Sequence, residues 1–221
     1  MENKSDNDMY EKPLRTEVAG NFCALGVIPI ADSEHELVNK YIELMRESST
    51  RKFHSFKYIC TCLLYAKNVE LKNRPLVVAA ILFHKIGYIP GDKKCARRSC
   101  EIATEFYPGK ISVELFRLIK AAQTEESLTK RYGGDRDIIG DIVNYFYGTN
   151  GYEIFKKDWS QILLEFKGAG HQPKKFRTFS RLRLKKMLAF ARVCGVYHTV
   201  EFSLKYGGQA LDNIEQMLEE I

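Results

Sequence analysis

The stretch RPLVVAAILFHKIGYIP, residues 74–90, decides how the rest of the chain is interpreted. Its first part is apolar on most sides, which predicts a buried helix, and Pro75 suits the first turn of that helix. The glycine and the proline that follow predict that the helix ends there. Two polar residues, His84 and Lys85, therefore stand at the end of a buried helix. A buried imidazole needs a hydrogen-bond partner or a metal ion, so this helix end is a candidate site of chemistry.

The composition is typical of a globular domain that is not a membrane protein. Of the 221 residues, 45% are hydrophobic and 28% are charged. No apolar run reaches the roughly 18 residues that a membrane span needs, and the polar N-terminus does not resemble a signal peptide. The six cysteines form no C-x-x-C pair and are expected to be reduced thiols. We expect a cytoplasmic protein with a flexible polar tail, residues 1–20, and one domain, residues 21–221.

Helical patterns account for most of that domain, and no β-hairpin signal appears. Ser33 and Glu36 satisfy a capping box, and glycine or proline residues stand between most of the helical patterns. We expect an all-α, single-domain bundle of roughly eight to ten helices. The predicted helices are residues 33–48, 53–68, 74–86, 93–107, 111–123, 136–148, 152–166, 179–193, 197–206 and 208–221.

Two of the five histidines, His54 and His84, lie inside strongly apolar helices. Taken alone, each is more often a core histidine with a hydrogen-bond partner than a metal ligand. Their surroundings, RKFHSFKYI followed by AAILFHKIGYIP, resemble the HD superfamily of metal-dependent phosphohydrolases, in particular a branch of small predicted hydrolases. The resemblance continues through YEIFKKDWSQILLEF, FSRLRLKKMLAF and ALDNIEQML. It implies an HD-type bundle whose divalent metal activates water against a phosphoester.

The resemblance implies a metal-ligand set that this chain matches only in part. His54 matches the first ligand, His84 the histidine of the His-Asp pair, and Asp141 the distal aspartate, with Asp137 as a weaker match. The metal would be of the Mn, Mg, Fe or Zn class. The aspartate of the His-Asp pair, however, is Lys85.

Three more positions depart from the family pattern. A second motif histidine falls at Tyr58, and an expected acid falls at Ala96. Where family members often carry an extra histidine, this chain offers Gln123, Glu125 and Glu126. Glu125 and Lys85 are candidate catalytic residues if the site is still active.

Lys85 has a clear physical consequence if it points into the site. At an effective dielectric near 20, a divalent ion and an ammonium about 4 Å apart repel by roughly 8 kcal/mol. We therefore expect no cofactor, or at most a weakly held divalent metal. We expect the ammonium to take the place of the ion and pair with Asp141. The alternative is that Lys85 extends to solvent and leaves three metal ligands behind.

The net charge of +6 is unevenly distributed. The segment KGAGHQPKKFRTFSRLRLKK, residues 167–186, has eight lysines and arginines and no acid. Such a segment fits phosphate, nucleic acid or an acidic partner, and it is equally compatible with a solvated loop and helix face. Within it, Arg181 and Lys185 are candidates for holding a phosphate or nucleotide ligand.

Three functions follow from these observations. The first is a degenerate HD-domain protein, a pseudoenzyme that binds a phosphate, a nucleotide or a protein partner without normal metal hydrolysis. The second is an active metal-dependent phosphohydrolase with an altered site. The third is a nucleic-acid-binding protein that uses the basic segment 167–186. The sequence favours the first, because several polar positions of the usual site are changed together.

Overall fold

The protein is an all-helical bundle. The structure, a computed structural model, describes residues 4–47, 51–92, 94–107, 113–123 and 131–221. Within these ranges the chain forms ten α-helices and no strand, which confirms the predicted all-α class. A short 3-10 helix, Tyr145–Tyr147, follows the seventh helix. The helices are α1 Lys4–Ala24, α2 Glu36–Glu47, α3 Phe56–Lys67, α4 Arg74–Phe83, α5 Cys95–Phe106, α6 Val113–Ala121, α7 Asp135–Val143, α8 Tyr152–Gly168, α9 Pro173–Cys194 and α10 Val200–Glu220.

Helix α4 lies at the centre of the first layer of the bundle. The five helices α1, α3, α5, α6 and α7 all pack against it. Its last five residues, 79–83, are completely buried, as the continuous apolar run predicted. The Phe83 ring lies 5.1 Å from that of Phe106 and 5.6 Å from that of Tyr41, so aromatic contacts fix the end of α4. This end leads directly into His84 and Lys85.

Helices α8, α9 and α10 pack on one another as a second layer. The 3-10 helix Tyr145–Tyr147 joins the two layers, because it contacts α7 on one side and α8 and α10 on the other. No helix of the described ranges is both long enough and apolar enough to cross a bilayer. The second layer matters for the site because one buried side chain of α8 reaches the start of α3.

The prediction of a flexible tail over residues 1–20 is wrong from Lys4 onwards. Residues 4–24 form helix α1, which packs against α2, α3 and α4. Leu14 and Val18 are fully buried, as is Phe22 at the next helical position on the same face. The polar composition of the first twelve residues concealed this apolar stripe.

Several predicted helix boundaries also differ from the structure, and three of the differences are the following. Helix α2 begins at Glu36, where the His35 ring accepts a hydrogen bond from the Leu37 backbone, so the capping box expected at Ser33 does not form. Helix α9 begins at residue 173, earlier than predicted. The two last predicted helices are one helix, α10, which continues through two glycines because its flanking turns pack on α8 and α9.

Gly87 lets the end of α4 lie directly against α5. A Cβ atom at this position would lie 2.6 Å from the backbone nitrogen of Ser99 and 2.8 Å from the carbonyl carbon of Arg98. The Gly87 N–H donates to the Ser99 hydroxyl, which itself donates to the carbonyl of His84. The close approach therefore holds the histidine at the helix end in a fixed orientation.

Replacing Gly87 with alanine should destabilise the protein by about 1–3 kcal/mol, because the added methyl group meets backbone atoms that cannot move independently. The free energy of unfolding in urea measures this loss. Gly208→Ala is the matched control, since a Cβ atom there meets nothing within 4 Å. Because Gly208 lies in the interior of α10, its replacement with alanine should stabilise the protein by about 0.5–1 kcal/mol. Equal effects at the two positions would contradict the close packing of Gly87.

Candidate functional site

The site is organised by Glu165 of α8, whose side chain is completely buried. One carboxylate oxygen, Oε1, accepts hydrogen bonds from the backbone N–H groups of Phe53 and His54, both at 2.8 Å. The other, Oε2, lies 2.7 Å from Nδ1 of the His54 ring. The carboxylate thus joins α8 to the segment before α3. Sequence reasoning missed Glu165, and its only signal was an acid between two apolar residues of α8.

The environment keeps His54 neutral and Glu165 ionised. Burial lowers the pKa of His54 to about 4, and the cations Lys85 and Arg51 add to this, although Glu165 acts in the opposite direction. Burial alone would raise the pKa of Glu165, but His54 and the two backbone donors hold it below its ordinary value. The neutral ring therefore donates its Nδ1 proton to the carboxylate, and Nε2 carries the lone pair.

His84 is completely buried, and both of its ring nitrogens have partners. Nδ1 lies 2.7 Å from the carbonyl oxygen of Ile81, which can only accept, so Nδ1 carries the proton. Nε2 lies 3.2 Å from the hydroxyl of Tyr58 and accepts from it. That hydroxyl also lies 2.9 Å from the carbonyl of Val143, so its single proton serves two acceptors. The lone pair that a metal needs is therefore engaged by Tyr58.

Asp141 is buried and faces the start of α10. Its oxygen Oδ1 accepts from the backbone N–H of His198 at 2.7 Å. Its oxygen Oδ2 accepts from the backbone N–H and the hydroxyl of Thr199, at 2.8 and 2.7 Å. Thr199 in turn is the N-cap residue of α10. Asp141 therefore anchors a helix N-terminus, where a negative charge is favourable.

The three expected ligands do not fit a divalent metal as the structure arranges them. The described residues contain no group of three histidine, cysteine, aspartate or glutamate side chains that could hold a metal ion. His84 offers no free lone pair, and the oxygens of Asp141 already accept three hydrogen bonds. Among the ring nitrogens of the two expected histidine ligands, only Nε2 of His54 has no hydrogen-bond partner within the described residues.

The expected ion pair between Lys85 and Asp141 does not form, because the aspartate oxygens face the backbone of α10 instead. The Lys85 ammonium lies 5.0 Å from the centre of the Tyr88 ring. It acts electrostatically on both histidines and on Glu165. Burial lowers the pKa of Lys85 to about 8, and the positive charge of Arg183 adds to the effect. Lys85 therefore lies within the site.

Arg183 is the residue of the basic segment that approaches this site. Its Nε atom is buried and has no hydrogen-bond partner among the described residues. Its charge acts on Lys85 and on the Tyr88 hydroxyl. Arg181 and Lys185, the residues that the sequence suggested for ligand binding, are exposed on α9 and do not belong to this group. A side chain two positions away on a helix points in a different direction, which explains the difference.

Other predicted residues have structural contacts or lie outside the described ranges. Gln123 donates to Ser99, at 2.8 Å, next to the end of α4. Asp137 accepts from the backbone of Tyr132 at 2.7 Å. Glu125 and Glu126 lie outside the described residues, so the catalytic role considered for Glu125 stays a prediction.

Comparison of the chain with protein-family models, curated proteins and solved structures finds no match. The resemblance to HD phosphohydrolases therefore rests on the sequence motifs alone. What the geometry offers is a half-buried cluster of three cations, Arg51, Lys85 and Arg183, around the carboxylate of Glu165. With both histidines neutral, this group carries a net charge of +2 at neutral pH. Such a group can attract and hold an anion.

Replacing Asp141 with alanine should lower the free energy of unfolding by about 3 kcal/mol, because three donors at the start of α10 lose a charged acceptor. Asp212→Ala, at an exposed position of α10, is the control and should change it by less than about 0.5 kcal/mol. A double-mutant cycle with Lys85→Met then measures the coupling free energy between Asp141 and Lys85. We expect less than about 0.5 kcal/mol, since the two side chains share no contact. A larger coupling free energy would indicate that Lys85 and Asp141 form the expected ion pair.

The two buried neutral histidines should make the protein sensitive to acid. Because their folded-state pKa values lie below the unfolded value of about 6.5, the unfolded chain takes up protons first and stability falls as the pH drops. At pH 5 each histidine accounts for a loss of up to about 2 kcal/mol. Urea unfolding at pH 7 and pH 5 measures the loss. His84→Gln should reduce this pH dependence, and an unchanged dependence would show that His84 is not kept neutral.

Proposed function

We propose that the chain binds a small phosphorylated ligand, a phosphate monoester, at the cluster of Arg51, Lys85 and Arg183, without metal-dependent hydrolysis. In this proposal the protein is a degenerate relative of the HD phosphohydrolases that its motifs resemble. The hydrolase-like helices remain, and the site now recognises an anion.

The observation that carries the proposal is the group of cations without counter-ions. Neither Lys85 nor Arg183 forms a hydrogen bond or an ion pair with any described residue, and Arg51 has a buried Nε atom without a partner. The nearby carboxylate, Glu165, is fully engaged by His54 and the backbone. Holding like charges close together in a half-buried site is unfavourable unless a ligand compensates them.

The charge and the donor chemistry favour phosphate over a monoanion. A net charge of +2 matches a phosphate monoester, which carries about two negative charges near pH 7. The ammonium of Lys85 acts as a point charge, and the planar guanidinium of Arg183 offers paired donors. The neutral His54 leaves Nε2 as an acceptor for a hydroxyl group of the ligand.

The same geometry disfavours the alternative of an active metal hydrolase. His84 and Asp141 use their lone pairs within the protein, and an ammonium cannot activate water as a bound metal ion does. With Lys85 in the site, the ion would also meet a positive charge in a buried environment.

Isothermal titration with inorganic phosphate near pH 7.5 tests the proposal. We expect binding that weakens by about tenfold or more in Lys85→Met and in Arg183→Gln, since each removes a charged donor. Arg181→Gln, an exposed arginine on the same helix, is the matched control and should bind like the wild type. In the protein without ligand, Lys85 has a pKa of about 8. Binding should therefore also weaken at about pH 9.5, where the lysine is mostly neutral and phosphate remains a dianion.

Two other results would favour the alternative functions over this proposal. Manganese-dependent hydrolysis of p-nitrophenyl phosphate that is lost in His84→Ala would favour the active hydrolase. The nucleic-acid alternative rests on the exposed cations of segment 167–186, which form no ion pair with described residues. Binding of DNA with a steep dependence on salt, lost in Arg181→Gln together with Lys185→Gln and retained in Lys85→Met, would favour that function.

A further inference from the structure

A cleft lies between α8, α9 and the end of α10, and it shares no lining residue with the cluster of Arg51, Lys85 and Arg183. Its volume is about 260 Å³, slightly below the roughly 300 Å³ at which most ligand pockets begin, so its ligand is small. Apolar side chains form much of its wall: Trp159 and Leu163 from α8, Phe176 from α9 and Met217 from α10.

Two polar atoms in the wall of this cleft are buried without a partner. They are Nε1 of Trp159 and Oγ of Ser180, and neither forms a hydrogen bond with a described residue. The two residues are 7% and 1% exposed, so solvent satisfies neither group. A buried donor without an acceptor typically destabilises a protein by about 1–3 kcal/mol. Two such donors in the wall of one cleft indicate that an acceptor is missing.

One cation in the lining of the cleft is available to an anionic acceptor. Arg177 is exposed and forms no ion pair with a described residue. Lys156 and Glu220 neutralise each other, with Nζ and Oε2 2.7 Å apart. Arg177 is therefore the cation of the lining that is available to a carboxylate.

We propose that this cleft binds a small monocarboxylic acid with an apolar tail. The carboxylate accepts hydrogen bonds from Trp159 Nε1 and Ser180 Oγ and faces Arg177, while the tail contacts Leu163 and Met217. Lys156 and Glu220 also line the cleft, and in this proposal the ligand enters when their exposed ion pair opens. An exposed ion pair of this kind contributes little to stability and is easily displaced.

The intrinsic fluorescence of the protein reports on this site directly, because Trp159 is the only tryptophan in the chain. Titration with sodium hexanoate should change the emission in a saturable manner. Hexanamide, which has the same tail without the charge, should bind at least about tenfold more weakly. Absence of a change up to about 10 mM hexanoate, or equal binding of the amide, would overturn the proposal.

Three variants test the assigned contacts by calorimetry with hexanoate. Trp159→Phe keeps the ring and removes the N–H, Ser180→Ala removes the hydroxyl, and Arg177→Gln removes the charge. Each should weaken binding about tenfold. Arg181→Gln, one turn further along α9 and outside the cleft, should bind like the wild type. Wild-type affinity in all three variants, or an equal loss in Arg181→Gln, would contradict the site.

Discussion

The buried carboxylate of Glu165 is the interaction on which the site depends. It is completely buried and accepts hydrogen bonds from two backbone N–H groups and from the His54 ring. These bonds satisfy its lone pairs, which is the condition under which a charge tolerates burial. The carboxylate links the second layer of helices to the start of α3. It also fixes the tautomer of His54 and supplies the negative charge beside which the surrounding cations lie.

The positions that resemble a metal site are used internally in this protein. Tyr58 donates to the one nitrogen of His84 that could bind a metal, and Asp141 holds the N-terminus of α10. Lys85 then lies in the site without an anionic partner among the described residues. A proposed anion-binding function reconciles the hydrolase-like order of motifs with these contacts, because it requires the cation at Lys85 that metal binding forbids.

Helix α9 contributes to two separate proposals at different positions along its length. Arg183 approaches Lys85 and Tyr88, whereas Phe176, Arg177 and Ser180 line the cleft against α8 and α10. The exposed cations of the same helix remain in solvent. The basic residues of segment 167–186 therefore do not form a single patch, because the helix directs its side chains in several directions.

The sequence by itself determined the helical class, the burial of α4 and the interior position of His54 and His84. These features follow from local periodicity and from the length of apolar runs, which neighbouring residues specify. It did not determine the packing of α1, the contact between Glu165 and His54, the role of Asp141 or the approach of Arg183. Each of these joins residues far apart in the chain, such as the 111 residues that separate His54 from Glu165. Only the packing of the two helical layers brings such partners within hydrogen-bonding or electrostatic range, so the tertiary structure decided them.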